Sequence, residues 1–326
     1  MHTLLKLPNA RKVVTQLGQV TPGMNVLVLY DYYTAHNVEP LSIALQEAGA
    51  QAHLLQIAGS AHHGTQFSEV VAQAMRASGL VIALTRANAA HTEARQQATR
   101  NGVGVIVLPE SDAADFFVAP GWNADFDTLR LEIEGLAHAF TQATRARVTS
   151  PDGTDVTMSV AGRTGRALHG FANTTDISAG YCLESSLAPV EGTANGIIMV
   201  NASIPGVGVV RDAPVRIEMK DGMAVSITGG ELAEKFRNLL ASFDDPNVYN
   251  LGELGVGMNP CCSIDGTMLS DESVYGAIQL ALGTSAYIGG TVKAAAHYDT
   301  IVTNATLELD GRAVLVGTRL MLGESA

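Results

Sequence analysis

The sequence predicts an α/β domain followed by a β-rich one: an N-terminal parallel α/β sheet domain, Rossmann-like, over residues 1–145, and a mixed α+β, β-rich domain over residues 146–326. Two observations predict it. Up to residue 145, continuous apolar runs alternate with helically spaced segments, the pattern of a parallel sheet covered by helices. From about residue 146 the runs are short and β-rich, and Asp-Gly pairs punctuate them at 152–153, 221–222, 265–266 and 310–311, which is hairpin chemistry.

In chain order, Asn25–Tyr30 follows Pro22-Gly23 as a buried strand, and Glu39–Ala48 has helical apolar spacing ending at Gly49. Ala52–Ala58 reads as a strand and Phe67–Ala77 as a helix, while Leu80–Leu84 and Val103–Leu108 are buried strands. In the second half, Val156–Val160, Ile197–Val200, Val215–Met219, Ala224–Thr228, Thr306–Leu309 and Ala313–Val316 read as strands. One helix is expected from Glu231 to Ser242. A second follows Ser270 as N-cap, with Asp271 and Glu272 in its first turn, and stops near Gly283.

Composition narrows the function. A hydrophobic share of 47% over 326 residues supplies core for two domains. The net charge of −12 argues against nucleic acid and acidic membranes as partners. No apolar run reaches the length of a membrane span, and Met1–Val20 lacks the core and cleavage site of a signal peptide. Cys182, Cys261 and Cys262 form no disulfide framework and fit a reducing cytoplasm. There is no Gly-x-Gly-x-x-Gly loop, P-loop or Gly-x-Ser-x-Gly elbow.

The chemistry concentrates near the end, in Ala296-His297-Tyr298-Asp299, inside a run from Thr291 to Val302 that reads as a strand. Residues two apart on a strand share a face, so His297 and Asp299 stand roughly 6–7 Å apart at Cα. An imidazole and a carboxylate so placed suit one Zn, Mn, Fe or Co ion, or else a surface pair. Glu253 is a candidate third ligand, set among Gly252, Gly255 and Gly257, whose bare backbone lets a carboxylate enter a crowded site. Glu272 is either a ligand or an acid favoured at a helix N-terminus. Gln279, seven residues on, is a poor ligand. His91 follows the strand Leu80–Leu84, where open α/β sheets bind ligands, or is a solvated loop histidine.

Several stretches carry a resemblance: TRANAAHTEAR (85–95), LAPVEGTAN (187–195), GELGVGMNP (252–260), LSDESVYGAIQLALG (269–283) and GGTVKAAAHYD (289–299). They look like small members of the metalloaminopeptidase family typified by aminopeptidase T. The resemblance implies divalent metal in the C-terminal domain, with Glu253, Glu272, His297 and Asp299 on ligand positions and Gln279 where the family has a histidine. It also implies a homodimer. The same scaffold resembles 2,5-dihydroxypyridine dioxygenase, a mononuclear iron enzyme with two histidines and an aspartate on the metal. There His297 and Asp299 match two ligands, Glu253 takes the other histidine's place, and His91 matches a substrate-pocket histidine.

The expected function is therefore a metal-dependent hydrolase of an amide or peptide-like bond in a small-molecule or short-peptide substrate. One divalent ion (Zn, Mn or Co) on Glu253, His297 and Asp299 activates water, with Glu272 or Glu191 as general base. The surplus of carboxylates over imidazoles places this reading ahead of the alternative, an Fe(II) dioxygenase opening a hydroxypyridine ring. A non-catalytic binding protein on the same scaffold is a third reading, motivated by Gln279.

Overall fold

The computed structural model describes residues 2–60 and 64–323. The chain divides into two compact units, Met1–Ala124 with Leu168–Tyr181, and Asp125–Ala167 with Cys182–Ala326.

The first unit holds β1 (Asn25–Asp31), β2 (Gln51–Ile57), β3 (Leu80–Leu84) and β4 (Gly104–Leu108). They form a parallel sheet in the order β2-β1-β3-β4. Every residue of β3 and β4 is buried, which is why both read as unbroken apolar runs. The helices are α1 (Thr3–Arg11), α2 (Val38–Glu47), α3 (Glu69–Arg76) and α4 (Glu93–Arg100). Those anticipated lie within a residue or two of their expected bounds. An unanticipated feature, α1 with the π-helical turn Lys12–Leu17, buries Leu7, Ala10, Val13, Val14 and Leu17.

The expected division at residue 145 is replaced by an interleaved one. Helix α5 (Phe126–Gln142) belongs to the second unit, with Phe126, Leu129, Ile133, Leu136 and Phe140 on its buried face. Residues 168–181 return to the first, where Ser178 extends the parallel sheet: its N–H donates to Val105 O at 3.0 Å, and Val107 N–H donates to Ser178 O at 2.7 Å.

The second unit's strands, of which β7 ends one residue into the first unit, are β5 (Arg145–Thr149), β6 (Asp155–Ser159), β7 (Arg166–Leu168), β8 (Glu184–Leu187), β9 (Asn195–Val200), β10 (Ser203–Ile204), β11 (Gly208–Val209), β12 (Val215–Lys220), β13 (Met223–Thr228), β14 (Leu251–Gly257), β15 (Ile278–Gly283), β16 (His297–Tyr298), β17 (Ile301–Val302), β18 (Thr306–Leu309), β19 (Arg312–Val316) and β20 (Arg319–Leu320). They make two large sheets. One runs β13-β12-β9-β6-β5-β18-β19-β20; the other runs β11-β10-β17-β15-β14-β8-β7, with β16 also on β15. The helices are α6 (Glu231–Ala241) and the short α7 (Met268–Asp271). The Asp-Gly pairs at 221–222 and 310–311 take positive φ at both residues and close the β12–β13 and β18–β19 hairpins. Asp265-Gly266 makes no hairpin. Both its N–H groups donate to the Asp271 carboxylate, which shapes the loop before α7.

Two sequence expectations are corrected here. The helix expected from Ser270 to Gly283 is only α7, with Thr267 at its N-cap, and the apolar run after it is strand β15, buried at all six positions. A segment with no polar face carries no helical periodicity, and burial between two neighbouring strands suits it better. The strand expected from Thr291 begins at His297. Its two ladder segments pair β15 in one continuous register: His297 with Gly283, Tyr298 with Leu282, Ile301 with Gln279 and Val302 with Ile278. The intervening Thr300 keeps contact through Leu280 N–H donating to Thr300 O at 3.1 Å.

Candidate metal centre

One sheet face builds the site. Glu253 on β14 lies opposite Ala281 on β15, and the register carries Asp299 to the same row beyond Ala281. Because side chains alternate across a strand, Glu253, Ala281 and Asp299 point to one side, together with His297 opposite Gly283. The alanine between them leaves space, and Glu253 reaches across it. Its Oε2 lies 3.1 Å from His297 Nε2, and Asp299 Oδ2 lies 3.8 Å from the same nitrogen. Donor atoms of Glu253, His297 and Asp299 all fall within 4.8 Å of one another. The three side chains are only 8%, 18% and 12% exposed, respectively.

The same face explains the glycines. Gly255 and Gly257 follow Glu253 at two-residue steps, so β14 presents one carboxylate and then bare backbone. A β-carbon at Gly255 would run into the Gln279 amide, and one at Gly257 would stand 2.5 Å from Val274 O and 2.6 Å from Glu272 O. The missing side chains thus admit Gln279 and the segment carrying Glu272. Gln279 is 1% exposed. Its Nε2 donates to the main-chain oxygen of Glu272, and its amide also bonds the Glu184 carboxyl.

Sequence reasoning missed Glu184. It sits on β8 opposite Gly257, and with Cys182 and Glu272 it forms a second group of donors within 4.8 Å. Its one sequence signal is a charge inside a short strand buried at all four positions, a pattern that needs the structure to be recognised.

Four carboxyls crowded together cannot all ionise. Burial, with Glu253 nearby, pushes Glu184 up to about 8, opposed by the Arg166 guanidinium. Burial, then Asp299 and Glu184, hold Glu272 well above the usual carboxylate range. Burial also raises Asp299, against the pull of His297. Burial would raise Glu253 too, but its hydrogen bond to His297 and the charges of His297 and Arg166 bring it below the ordinary value. His297 goes the other way: burial opposes its charge, yet Glu253 and Asp299 raise it to about 9. Of the hydrogen-bonded pair Glu272 and Asp299, their shared bond raises Glu272 and lowers Asp299, so Glu272 is the better placed to donate.

The imidazole is oriented from behind. His297 Nδ1 lies 2.9 Å from Thr284 O, and a carbonyl only accepts, so Nδ1 carries the hydrogen and Nε2 faces the carboxylates. This is how a metal-binding histidine is held. One imidazole and two carboxylates suit a divalent first-row ion, and three protein donors leave coordination positions open.

The other candidate residues lie elsewhere. Glu191 is outside both donor groups, pairs with Arg163, and accepts from Ser285 Oγ and Thr291 N–H. His91 belongs to the first unit, on the turn between β3 and α4.

A family profile for 2,5-dihydroxypyridine 5,6-dioxygenase matches residues 6–322. The chain belongs to that family. The 2,5-dihydroxypyridine 5,6-dioxygenase of Pseudomonas putida (strain KT2440) is 25% identical over 150 residues, 42% of this chain and 43% of that protein. The matched stretch therefore spans less than half of that relative's length. The solved structure of 2,5-dihydroxypyridine dioxygenase from P. putida KT2440 superimposes with a TM-score of 0.85 at 20% identity, covering 99% of both chains. Wild-type AmpT of Thermus thermophilus, an aminopeptidase T, gives 0.70 at 14% identity, over 97% of this chain and 99% of that one. At such identities structural likeness establishes the fold alone. The expectation of an aminopeptidase-like hydrolase is overturned by the family match, which runs nearly the full length and names a dioxygenase.

Proposed function

We propose that the chain is a mononuclear Fe(II)-dependent dioxygenase that opens a dihydroxypyridine-type ring, with Glu253, His297 and Asp299 as the metal donors. The observation that carries this reading is the convergence of those three donors on one sheet face of a chain in this family. Gln279, where the peptidase resemblance has a histidine, supports one ion over two.

When bound, iron supplies the electron transfer that joins dioxygen to an electron-rich ring. The chain's own residues do the rest. Thr284 O holds the His297 tautomer, so that Nε2 donates once its proton leaves. Glu253 and Asp299 supply negative charge from opposite sides of Ala281. Glu272 keeps a carboxyl proton on its hydrogen bond to Asp299, a reservoir for the ring oxygen or nitrogen that must change protonation as the ring opens. Glu253 in place of a second imidazole adds one negative charge, which favours the more oxidised metal. The substrate is a small molecule, and the homodimer expectation belongs to the same reading, with sedimentation as its test.

The deciding experiment is anaerobic purification with iron loading. One iron per chain and oxygen uptake with 2,5-dihydroxypyridine are expected. Full iron occupancy with no oxygen uptake on any hydroxypyridine would overturn the reaction, and no divalent metal bound at all would overturn the site. His297→Ala and Asp299→Ala should each lose bound iron together with activity.

A further inference from the structure

Glu191 looks like a spare acid beside a metalloenzyme site, but its contacts give it another task. The segment Thr284–Val292 leaves β15 and doubles back on itself. Ser285 N–H and Ala286 N–H both donate to Val292 O, at 2.9 and 3.0 Å, and Thr284 Oγ1 donates to the same oxygen at 3.1 Å. Val292 N–H donates to Ser285 Oγ at 3.1 Å. The Glu191 carboxylate bridges the two limbs. Its Oε1 accepts from Ser285 Oγ at 3.0 Å on one limb and from Thr291 N–H at 2.6 Å on the other. Its Oε2 pairs with Arg163, whose second guanidinium nitrogen donates to Gly289 O at 2.5 Å at the tip of the loop. A β-carbon at Gly290 would strike Ser285 and stand 2.8 Å from Glu191 Oε1, so the loop is packed onto the carboxylate. The ion pair is 14% and 20% exposed, shielded enough to matter.

The residue beside Ser285 is Thr284, whose carbonyl takes the His297 Nδ1 hydrogen. We infer that Glu191 is a positioning residue: with Arg163 it pins the Thr284–Val292 loop, and through Thr284 O it fixes the ring orientation and tautomer of His297. Without it the limbs keep only their own bonds to Val292, Thr284 O is held less firmly, and the preference for the Nδ1–H form weakens. The inference rests on the reading that His297 binds a metal, but not on which reaction that metal serves.

The test uses Mn(II) as probe on the full-length protein, with imidazole ¹⁵N NMR on histidine-labelled samples and the His297 signal assigned by its loss in His297→Gln. Glu191→Ala should weaken Mn(II) binding roughly 10- to 100-fold, the range for losing support of a ligand, and, in the metal-free protein well above pH 9, where the His297 ring is neutral, should bring up the Nε2–H tautomer. Glu191→Gln, which keeps an acceptor for Ser285 and Thr291, should recover most of the affinity. Ser285→Ala, a smaller change in the same chain of contacts, should show the same tautomer shift at smaller amplitude and keeps the test open if Glu191→Ala does not fold. A folded Glu191→Ala or Ser285→Ala with wild-type tautomer and wild-type Mn(II) affinity overturns the inference. Wild-type protein that binds no Mn(II) while the variants still shift the tautomer overturns the metal reading and leaves the positioning role standing.

Discussion

At the scale of single residues, the site is governed by what each polar group must touch once water is excluded. Gln279 is the clearest case. From sequence it is a poor ligand whose loss should matter little, but in the structure it joins the Glu272 main chain to the Glu184 carboxyl. Gln279→Ala leaves both without that partner, so stability should fall by about 1–3 kcal/mol; urea denaturation measures it, and an unchanged midpoint would remove Gln279 from the architecture. Glu191 titrates in a different window. Burial would raise it, but Thr291 N–H, Ser285 and the Arg163 charge bring it down to about 2. A carboxyl depressed in the folded state stabilises it above the unfolded value near 4.5, and that contribution is lost as pH falls toward 2. Glu191→Gln should therefore flatten the stability-pH curve across that interval; an acid limb as steep as in the wild type would contradict the assignment. His297, Asp299 and Glu253 could be picked out in sequence because two-residue spacing and flanking glycines are local signals. Glu184 could not, because its relevance comes only from register with a strand some 70 residues away.

At the scale of elements, the central pair β14 and β15 shows where sequence patterning stops. Both strands are buried on both faces, so neither shows the alternation that marks a strand, and Ile278–Gly283 was readable as the end of a helix. The strands of the first unit were legible because Gly, Pro and Asp frame their apolar runs, and the hairpins because Asp-Gly has positive-φ chemistry. The glycines of β14 are legible in a different sense: their two-residue spacing after Glu253 marks one face, although what fills it is invisible without the fold. Gly257→Ala would push a methyl against Val274 O and Glu272 O, both backbone atoms with little freedom to move. About 1–3 kcal/mol of destabilisation is expected, with weakened metal binding because Glu272, hydrogen-bonded to the donor Asp299, moves with its segment. Thermal unfolding and metal titration on the same sample test both; wild-type values would mean that the segment shifts freely.

At the scale of the whole molecule, the chain reads as two successive domains in sequence but each compact unit is built from two separate stretches, because Ser178 supplies a further parallel segment beside β4 and α5 packs its buried face in the second unit. Such long-range returns leave no local trace. The family relation bears on a choice that composition could not make: the abundance of acids pointed to a hydrolase, whereas the match over residues 6–322 favours the dioxygenase reading.

The walling-off of Glu184, Glu253, Glu272 and Asp299 has a thermodynamic corollary. A folded state that crowds desolvated carboxyls together gains from any cation that only it can bind, so mass action ties the melting point to free divalent ion. At one hundred times the dissociation constant the gain is about 2.7 kcal/mol. A melting curve that climbs with added ion and falls back in chelator would register occupancy before any substrate is tried.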